Sequence, residues 1–114
     1  NVLFYRKDVL DLYRISDLFV LPSLREGLSI CTIEACLSNI PVLASNIRGP
    51  QDFLCNESLF YCNNVDDLSN KILSIINSNN QSMIETNKQK LQKYSNENVE
   101  SCFNNFFDMV EKNL

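Results

Sequence analysis

Short apolar runs alternate along the chain with segments whose apolar residues recur at helical spacing. Four runs are apolar on both faces, as in strands buried inside a parallel sheet, and they cover residues 2–5, 18–21, 41–44 and 59–62. Helices are predicted between them, beginning after Asp8, after Ser29, at Gly49-Pro50, and at Asp66 or Asp67. The alternation predicts an α/β fold, a partial Rossmann-like parallel sheet of about four strands with flanking helices and right-handed crossovers.

Each predicted helix carries an apolar face that should pack on the sheet. The inner positions are Val9, Leu12 and Tyr13 in the first helix, Ile30, Ile33 and Leu37 in the second, and Leu68, Ile72, Leu73, Ile75 and Ile76 in the fourth. Residues 95–114 show the clearest amphipathic pattern and are predicted to be helical, with a stripe of Val99, Cys102, Phe103, Phe106, Val110 and Leu114. Core packing explains this stripe better than a cofactor site does.

Composition narrows the class of protein. With 114 residues, of which 45% are hydrophobic and 21% charged, the chain fits a single globular domain. The net charge of -4 argues against a nucleic-acid partner, and the absence of histidine excludes imidazole chemistry within these residues. The five cysteines are odd in number and lack metal-like spacing, which indicates buried free thiols in a reducing, cytoplasmic setting and no metal site.

The loop after the second predicted strand, residues 22–29, is the expected place of chemistry, because ligands of open parallel sheets bind beyond the carboxyl ends of the strands. Gly27 lets backbone amides approach an anion, and the following helix offers unsatisfied N–H groups, so the loop predicts a phosphate seat. Glu34 lies five residues after Ser29, about 7.5 Å along a helix, which suits the reach from a diphosphate to a ribose. Glu26 would face the other end of the diphosphate. Taken alone, two such glutamates are more often solvated surface charges.

The residues around these two glutamates make the pattern more specific. Glu26 and Glu34 have seven residues between them, follow residues 17–23, and precede Ala35, Asn39, Pro41-Val42-Leu43-Ala44-Ser45 and Arg48-Gly49. This string resembles the donor-binding domain of the glycosyltransferases with two Rossmann-like domains (the GT-B fold), specifically the large retaining group called glycosyltransferase family 4. The resemblance covers nearly the whole chain. It is strong over residues 6–49 and weak beyond Asp67, where only helix spacing matches.

The resemblance implies transfer of a sugar from a UDP- or GDP-linked donor to an acceptor hydroxyl with retention of configuration, in polysaccharide or lipopolysaccharide synthesis. It implies no cofactor and no bound metal. It implies that Glu26 is the catalytic carboxylate beside the donor sugar and that Glu34 holds the ribose. The other positions that it assigns to the donor are Gly27, Leu28 and Ser29 at the diphosphate, Thr32 and Ile33 beside the ribose, and Tyr5 and Arg6 near the base.

The chain departs from the family pattern at three turns. Phe4-Tyr5 stands where a glycine normally ends the first strand, so the base pocket differs. Asn39-Ile40 replaces a common glycine, and asparagine tolerates the left-handed conformation that ends a helix. The turn at Arg48-Gly49 has fewer glycines than is usual, and Arg48 is either a solvated charge or a second contact to the anion.

The family also places an acceptor domain, two further strands and a basic Arg/Lys pair before this segment. Residues 1–114 are therefore expected to form one partial nucleotide-sugar-binding domain, inactive in isolation, whose residues 95–114 cross toward the acceptor domain. That domain would bind the acceptor, a saccharide or lipid-linked saccharide. Peripheral membrane association of the full enzyme and self-association through an exposed sheet edge are further expectations.

Two other functions stay open at this point. The chain could be a non-catalytic nucleotide-binding or oligomerisation module, a hypothesis that the missing basic pair favours. It could also be a nucleotide-sugar epimerase, although that class relies on carboxylate and histidine chemistry and the chain has no histidine.

Overall fold

The structure, a computed structural model, describes residues 8–27 and 29–98, with side chains as far as Tyr94. The predicted strand at residues 2–5, the positions Tyr5, Arg6 and Leu28, and the predicted helical stripe from Val99 onward lie outside the described residues. The elements in chain order are α1 (Val9–Ile15), β1 (Phe19–Leu21), α2 (Ile30–Leu37), β2 (Val42–Ser45), α3 (Pro50–Phe53), a 3-10 turn (Asn56–Ser58), β3 (Leu59–Phe60), α4 (Val65–Ile76) and α5 (Gln81–Asn98).

The three described strands form one parallel sheet in the order β1-β2-β3. Phe19 pairs with Val42, and Ser45 pairs with Phe60. All four residues of β2 are buried, as expected for the central strand of a parallel sheet covered on both faces. The predicted α/β class and the parallel pairing are therefore confirmed, with three strands among the described residues.

Helices cover both faces of the sheet. On one face, Val42 and Ala44 of β2 pack in a core that includes Ile33 of α2, Phe53 of α3 and Leu91 of α5. On the other face, the β2 residue between them, Leu43, packs with Phe60 and with Ile75 of α4. The period of two along β2 thus divides its side chains between two hydrophobic layers.

The inward faces of α2 and α4 differ from the prediction. Ile30 is 49% exposed, Leu73 is 57% exposed and Ile76 is 68% exposed. In α2 the buried residues are Thr32, Ile33, Ala35 and Cys36. At 100° per residue, Ile30 lies far from the centre of that arc. In α4, Ile76 lies at the margin of the arc centred on Ile75, and Leu73, two residues away, lies nearly opposite it.

The strand β3 is shorter than predicted. Only Leu59 and Phe60 pair with β2, and Tyr61 is 67% exposed. The backbone N–H of Tyr61 donates to Asp67 Oδ2 at 2.7 Å, so the chain leaves the sheet ladder for the first turn of α4. Asp66 and Asp67 are likewise wrong as the start of α4, because Asn64 holds the N-cap position and its Oδ1 accepts from the Asp67 N–H at 2.9 Å.

The predictions for the other helix ends are confirmed in part. Asp8 and Ser29 hold the N-cap positions of α1 and α2 as predicted, but neither side chain makes a capping hydrogen bond. Asn39 has φ 62°, which confirms the left-handed cap predicted after α2. Gly49 has φ 103° and precedes Pro50 at the start of α3, which confirms the predicted turn.

Candidate functional site

The loop between β1 and α2 leaves the sheet at the carboxyl end of β1, where a parallel sheet offers a ligand site. Inside the loop, Ser23 Oγ donates a hydrogen bond of 2.6 Å to Glu26 Oε1. Both side chains are half-buried. One oxygen of the Glu26 carboxylate is thereby fixed against the loop, and the carboxylate keeps acceptor capacity for a second partner.

Two glycines shape the same corner. A Cβ atom built on Gly27 would have no atom of the described protein within 4 Å, so this position opens onto space that a ligand can enter. A Cβ atom on Gly49, in the turn after β2, would lie 2.8 Å from the Gly27 carbonyl oxygen. The neighbouring turn therefore supports the loop from behind, at a distance that only glycine permits.

The N-terminus of α2 lies between Glu26 and Glu34. Ser29 Oγ shares a hydrogen bond of 2.7 Å with Thr32 Oγ1, and both hydroxyls are buried. The Ser29 carbonyl accepts from the Ile33 N–H at 3.1 Å, so the intrahelical ladder begins at that amide. The Ser29 side chain bonds to Thr32 and does not cap the helix. The first backbone N–H groups of α2 therefore remain available to donate hydrogen bonds to an anion.

Thr32 and Ile33 are buried to 0% and 1% exposure. Ile33 packs in the core between α2 and the sheet, and the Thr32 hydroxyl is engaged by Ser29. The structure thus places these two side chains inside the protein, behind the end of α2 that faces the loop.

Glu34 is half-buried and lies beside Tyr13 of α1. Burial raises the pKa of the Glu34 carboxyl above its ordinary value, and the nearby Tyr13 hydroxyl offsets part of this rise. Burial and the nearby Glu34 carboxylate also raise the pKa of the Tyr13 phenol, which keeps it a neutral donor. The Tyr13 hydroxyl itself donates to the Cys31 carbonyl at 3.2 Å, so a tyrosine from α1 is bonded to the first turn of α2, near Glu34.

In the sequence, Tyr13 is recognisable only as an apolar position of α1. A buried tyrosine needs a partner for its hydroxyl, which is the signal that could have marked it as more than a core residue. Its partner could not be named from the sequence, because α1 and α2 are separated by β1 and the loop.

Arg48 and the cysteines are the other residues that stand out in the sequence. Arg48 is exposed and directly precedes Gly49, so both explanations of this arginine stay open. The expectation of buried free thiols holds for Cys36 and Cys55, whereas Cys31, in the first turn of α2, is free and exposed. Burial raises the pKa of the Cys36 thiol to about 12.

Within residues 8–27 and 29–98, no helix combines the length and apolar character needed to cross a membrane.

A relative from Escherichia coli, UDP-Gal:alpha-D-GlcNAc-diphosphoundecaprenol alpha-1,3-galactosyltransferase, is 34% identical over 74 residues. The match covers 62% of this chain and 19% of that protein, so the chain spans a small part of its relative's length. Residues 1–98 match the family described as glycosyl transferases group 1. With its parallel sheet and the spacing of Glu26 and Glu34, the chain belongs to this glycosyltransferase family, as a partial Rossmann-like domain.

Proposed function

We propose that this protein binds a nucleotide sugar at the corner formed by β1, the following loop and α2, and transfers the sugar to an acceptor hydroxyl with retention of configuration. The observation that carries the proposal is the placing of Glu26 and Glu34 on either side of the N-terminus of one helix. Membership in a family of sugar-transferring enzymes supports it.

The diphosphate of the donor would lie at the N-terminus of α2. This helix presents free amide groups and the positive end of its dipole there, and both attract anions. The open space at Gly27 leaves room for phosphate oxygens close to the backbone. The hydroxyls of Ser29 and Thr32 are bonded to each other, so in this proposal the backbone, rather than these side chains, holds the diphosphate.

Glu34 would bind the ribose. A carboxylate can accept one hydrogen bond from each of two vicinal hydroxyls, and Glu34 lies just beyond the first turn of α2. Hydrogen bonds to a charged group contribute roughly 1.5–3 kcal/mol each, so the loss of this carboxylate should be measurable.

Glu26 would lie beside the donor sugar and stabilise the positive charge that develops there as the diphosphate departs. The hydrogen bond from Ser23 holds one carboxylate oxygen in place before the substrate binds. This preorganisation matters because a fixed charge needs no reorientation when the reaction occurs.

The name of the E. coli relative supports a proposal for the substrate classes. That protein is named for a UDP-linked galactose donor and for an acceptor sugar carried on diphosphoundecaprenol. We therefore favour a UDP-linked over a GDP-linked donor, and a lipid-linked saccharide acceptor in polysaccharide assembly. The free cysteines among the described residues support a reducing, cytoplasmic setting for the protein.

The experiment is a calorimetric titration of the full-length protein with UDP, GDP and ADP. We expect UDP to bind most tightly and Glu34→Ala to lower its affinity by about tenfold to a hundredfold, the equivalent of one hydrogen bond to a charged group. Glu85→Ala is the matched control, because Glu85 is an exposed helical glutamate whose partner is Gln81 of α5. UDP affinity unchanged by Glu34→Ala would contradict the assignment of the ribose site.

A transfer assay separates this function from a non-catalytic nucleotide-binding module. The full-length protein with a UDP-sugar and a lipid-linked acceptor should turn over, and Glu26→Gln should lower the rate by at least about a hundredfold, a typical cost of removing one transition-state contact. The 114-residue chain alone should bind nucleotide without turnover. Tight UDP binding by the full-length protein with no transfer to any acceptor would favour the non-catalytic module.

A further inference from the structure

A cavity of about 250 Å³ lies at the carboxyl end of the sheet. All three described strands end at it, since Pro22 directly follows β1, Ser45 ends β2 and Phe60 ends β3. The rest of its lining comes from the turn after β3 and the start of α4, and includes Asn63, Val65 and Leu68. Parallel sheets bind their ligands at this edge, so the cavity is placed to receive one.

The cavity and the N-terminus of α2 lie at opposite ends of the loop that carries Glu26. Pro22 lines the cavity, and the adjacent Ser23 donates to Glu26 Oε1 at 2.6 Å. Gly27, on the other side of Glu26, opens onto the space proposed for the diphosphate. The donor would bring its diphosphate to α2 and its sugar to Glu26, which leaves the cavity beyond Glu26 free for the other reactant, the acceptor.

The lining of the cavity selects a neutral ligand. None of the described residues that line it is charged, so a phosphate or carboxylate would enter without a cationic partner, at a high cost in desolvation. Pro22, Phe60, Val65 and Leu68 form an apolar wall, and Asn63 adds a side-chain amide. The ligand that fits therefore has an apolar group and an amide-like polar group close together.

Two polar side chains in the lining are available to a ligand. Ser45 is 2% exposed, and its hydroxyl donates to the Leu21 carbonyl at 3.4 Å, longer than the roughly 2.5–3.0 Å of a good O–H···O bond. The side chain of Asn63 is exposed and makes no hydrogen bond within the described residues. Its turn is closed by the Asn64 N–H, which donates to the Tyr61 carbonyl at 3.1 Å.

An acetamido sugar matches this lining better than a plain hexose does. Its methyl group suits the apolar wall, and its amide can pair with the amide of Asn63. A plain hexose would place hydroxyls against the same wall without partners, which is unfavourable. The cavity is smaller than the roughly 300–1,000 Å³ that encloses a drug-sized ligand, so it suits one sugar unit of a longer acceptor.

We propose that this cavity binds an acetamido sugar of the acceptor, whose methyl group packs against Val65 and Leu68 and whose amide pairs with the side chain of Asn63. This inference rests on the proposed function for the role of the acceptor. Binding of a sugar to the cavity can nevertheless be measured without any transfer.

The first experiment is an NMR titration of ¹⁵N-labelled full-length protein saturated with UDP. The probes are N-acetylglucosamine and N-acetylgalactosamine, each compared with the hexose that lacks the acetamido group. We expect at least one N-acetyl sugar, at millimolar concentration, to shift the amides of Asn63, Asn64 and Val65, and the plain hexoses to leave them unchanged. Unperturbed amides with both N-acetyl sugars, or equal shifts with the plain hexoses, would overturn the inference.

Asn63→Gly tests the amide contact without disturbing the turn. Asn63 has φ 61°, a conformation that glycine adopts readily, so the variant removes the side chain alone. It should weaken binding of the N-acetyl sugar by roughly threefold to tenfold, the loss of one hydrogen bond. The matched control is Asn39→Gly at the end of α2, where φ is 62° and the side chain bonds Lys88. Equal affinities in the two variants would overturn the assignment.

Val65→Ser tests the apolar wall in the transfer reaction. Val65 is 75% exposed, so the fold should tolerate the change, and Leu73→Ser is the control at a position of α4 that is 57% exposed and outside the cavity. Val65→Ser should raise the KM for the acceptor severalfold and leave the KM for the UDP-sugar unchanged. A raised KM for the UDP-sugar alone would place the cavity at the donor and overturn the inference. If the full-length protein transfers no sugar, the proposed function fails, while the NMR titration still decides whether the cavity binds an acetamido sugar.

Discussion

Gly49, in the turn after β2, approaches the carbonyl oxygen of Gly27 so closely that a Cβ atom at position 49 would lie 2.8 Å from it. Gly49 also has φ 103°, a conformation that side-chain-bearing residues rarely adopt. Gly49→Ala should therefore cost about 1–3 kcal/mol of unfolding free energy and displace the loop that carries Glu26. Urea unfolding and UDP titration measure the two effects, and we expect both stability and affinity to fall.

Gly27→Ala is the matched comparison for this prediction. An added Cβ at position 27 meets no described atom within 4 Å, so unfolding free energy should change by less than about 1 kcal/mol. UDP affinity should nevertheless fall severalfold, because the methyl group enters the space proposed for the diphosphate. A Gly27→Ala protein with wild-type affinity would place the diphosphate elsewhere.

The raised pKa of Glu34 predicts how nucleotide binding depends on pH. The ribose hydroxyls need the ionised carboxylate, so UDP affinity should fall as the pH is lowered through a midpoint above the ordinary glutamate value of 4.5, by at most about tenfold per pH unit. Titrations of wild type and Glu34→Gln between pH 4 and pH 8 test this, and the variant should lose this component of the pH dependence.

Protein stability without nucleotide should respond to Glu34 with the opposite sign. A carboxyl whose pKa is higher in the folded than in the unfolded state stabilises the fold below the unfolded value, and this contribution is lost as the pH rises through the folded value. Glu34→Gln should therefore gain stability relative to wild type as the pH rises above 4.5. A constant difference in unfolding free energy between the two proteins across this range would contradict the raised pKa.

The described cysteines should differ in reactivity toward iodoacetamide. Cys31 is exposed in the first turn of α2, whereas Cys36 is buried with a pKa of about 12 and so carries almost no thiolate at pH 8. Peptide mass spectrometry of the native protein should show Cys31 modified well before Cys36, with both modified after denaturation. Saturating UDP should slow modification of Cys31, and an unchanged rate would argue against a ligand at this helix end.

The cap of α4 provides a test of the fold that is independent of the site. Asn64→Ala removes the side chain that accepts from the Asp67 N–H, and this should cost about 1 kcal/mol of unfolding free energy. Asp66→Ala removes only an exposed acidic residue of the first turn and should cost a few tenths of a kcal/mol. Chemical denaturation compares the two variants, and equal losses would contradict Asn64 as the capping residue.

The sequence was sufficient to predict β1, β2 and their parallel pairing, because runs that are apolar on both faces occur where a sheet is covered on both sides. It also predicted the left-handed residue Asn39, whose conformation follows from local chemistry. It failed for Ile30 and Ile76, because helical periodicity defines an apolar arc but only packing against the sheet decides which residues lie at its centre.

Within the site, the spacing of Glu26 and Glu34 was visible in the sequence because both belong to one loop and one helix. The contacts of Tyr13 with α2 and of Gly49 with Gly27 were not, since each joins segments separated by other elements. Such contacts depend on how the crossovers fold back onto the sheet, and a single sequence does not encode them in any local pattern.

The central claim is that the donor lies at the corner of β1, the loop and α2, and backbone NMR of the protein during UDP titration tests it most directly. We predict that the largest amide shifts occur at Gly27, Ser29 and the first turn of α2, with smaller shifts at Glu34. A cavity elsewhere in the described residues lies between α4 and α5, and its lining includes Glu57, Lys71 and Asn79. Shifts concentrated there, with the amides of Gly27 and Ser29 unperturbed, would contradict the account.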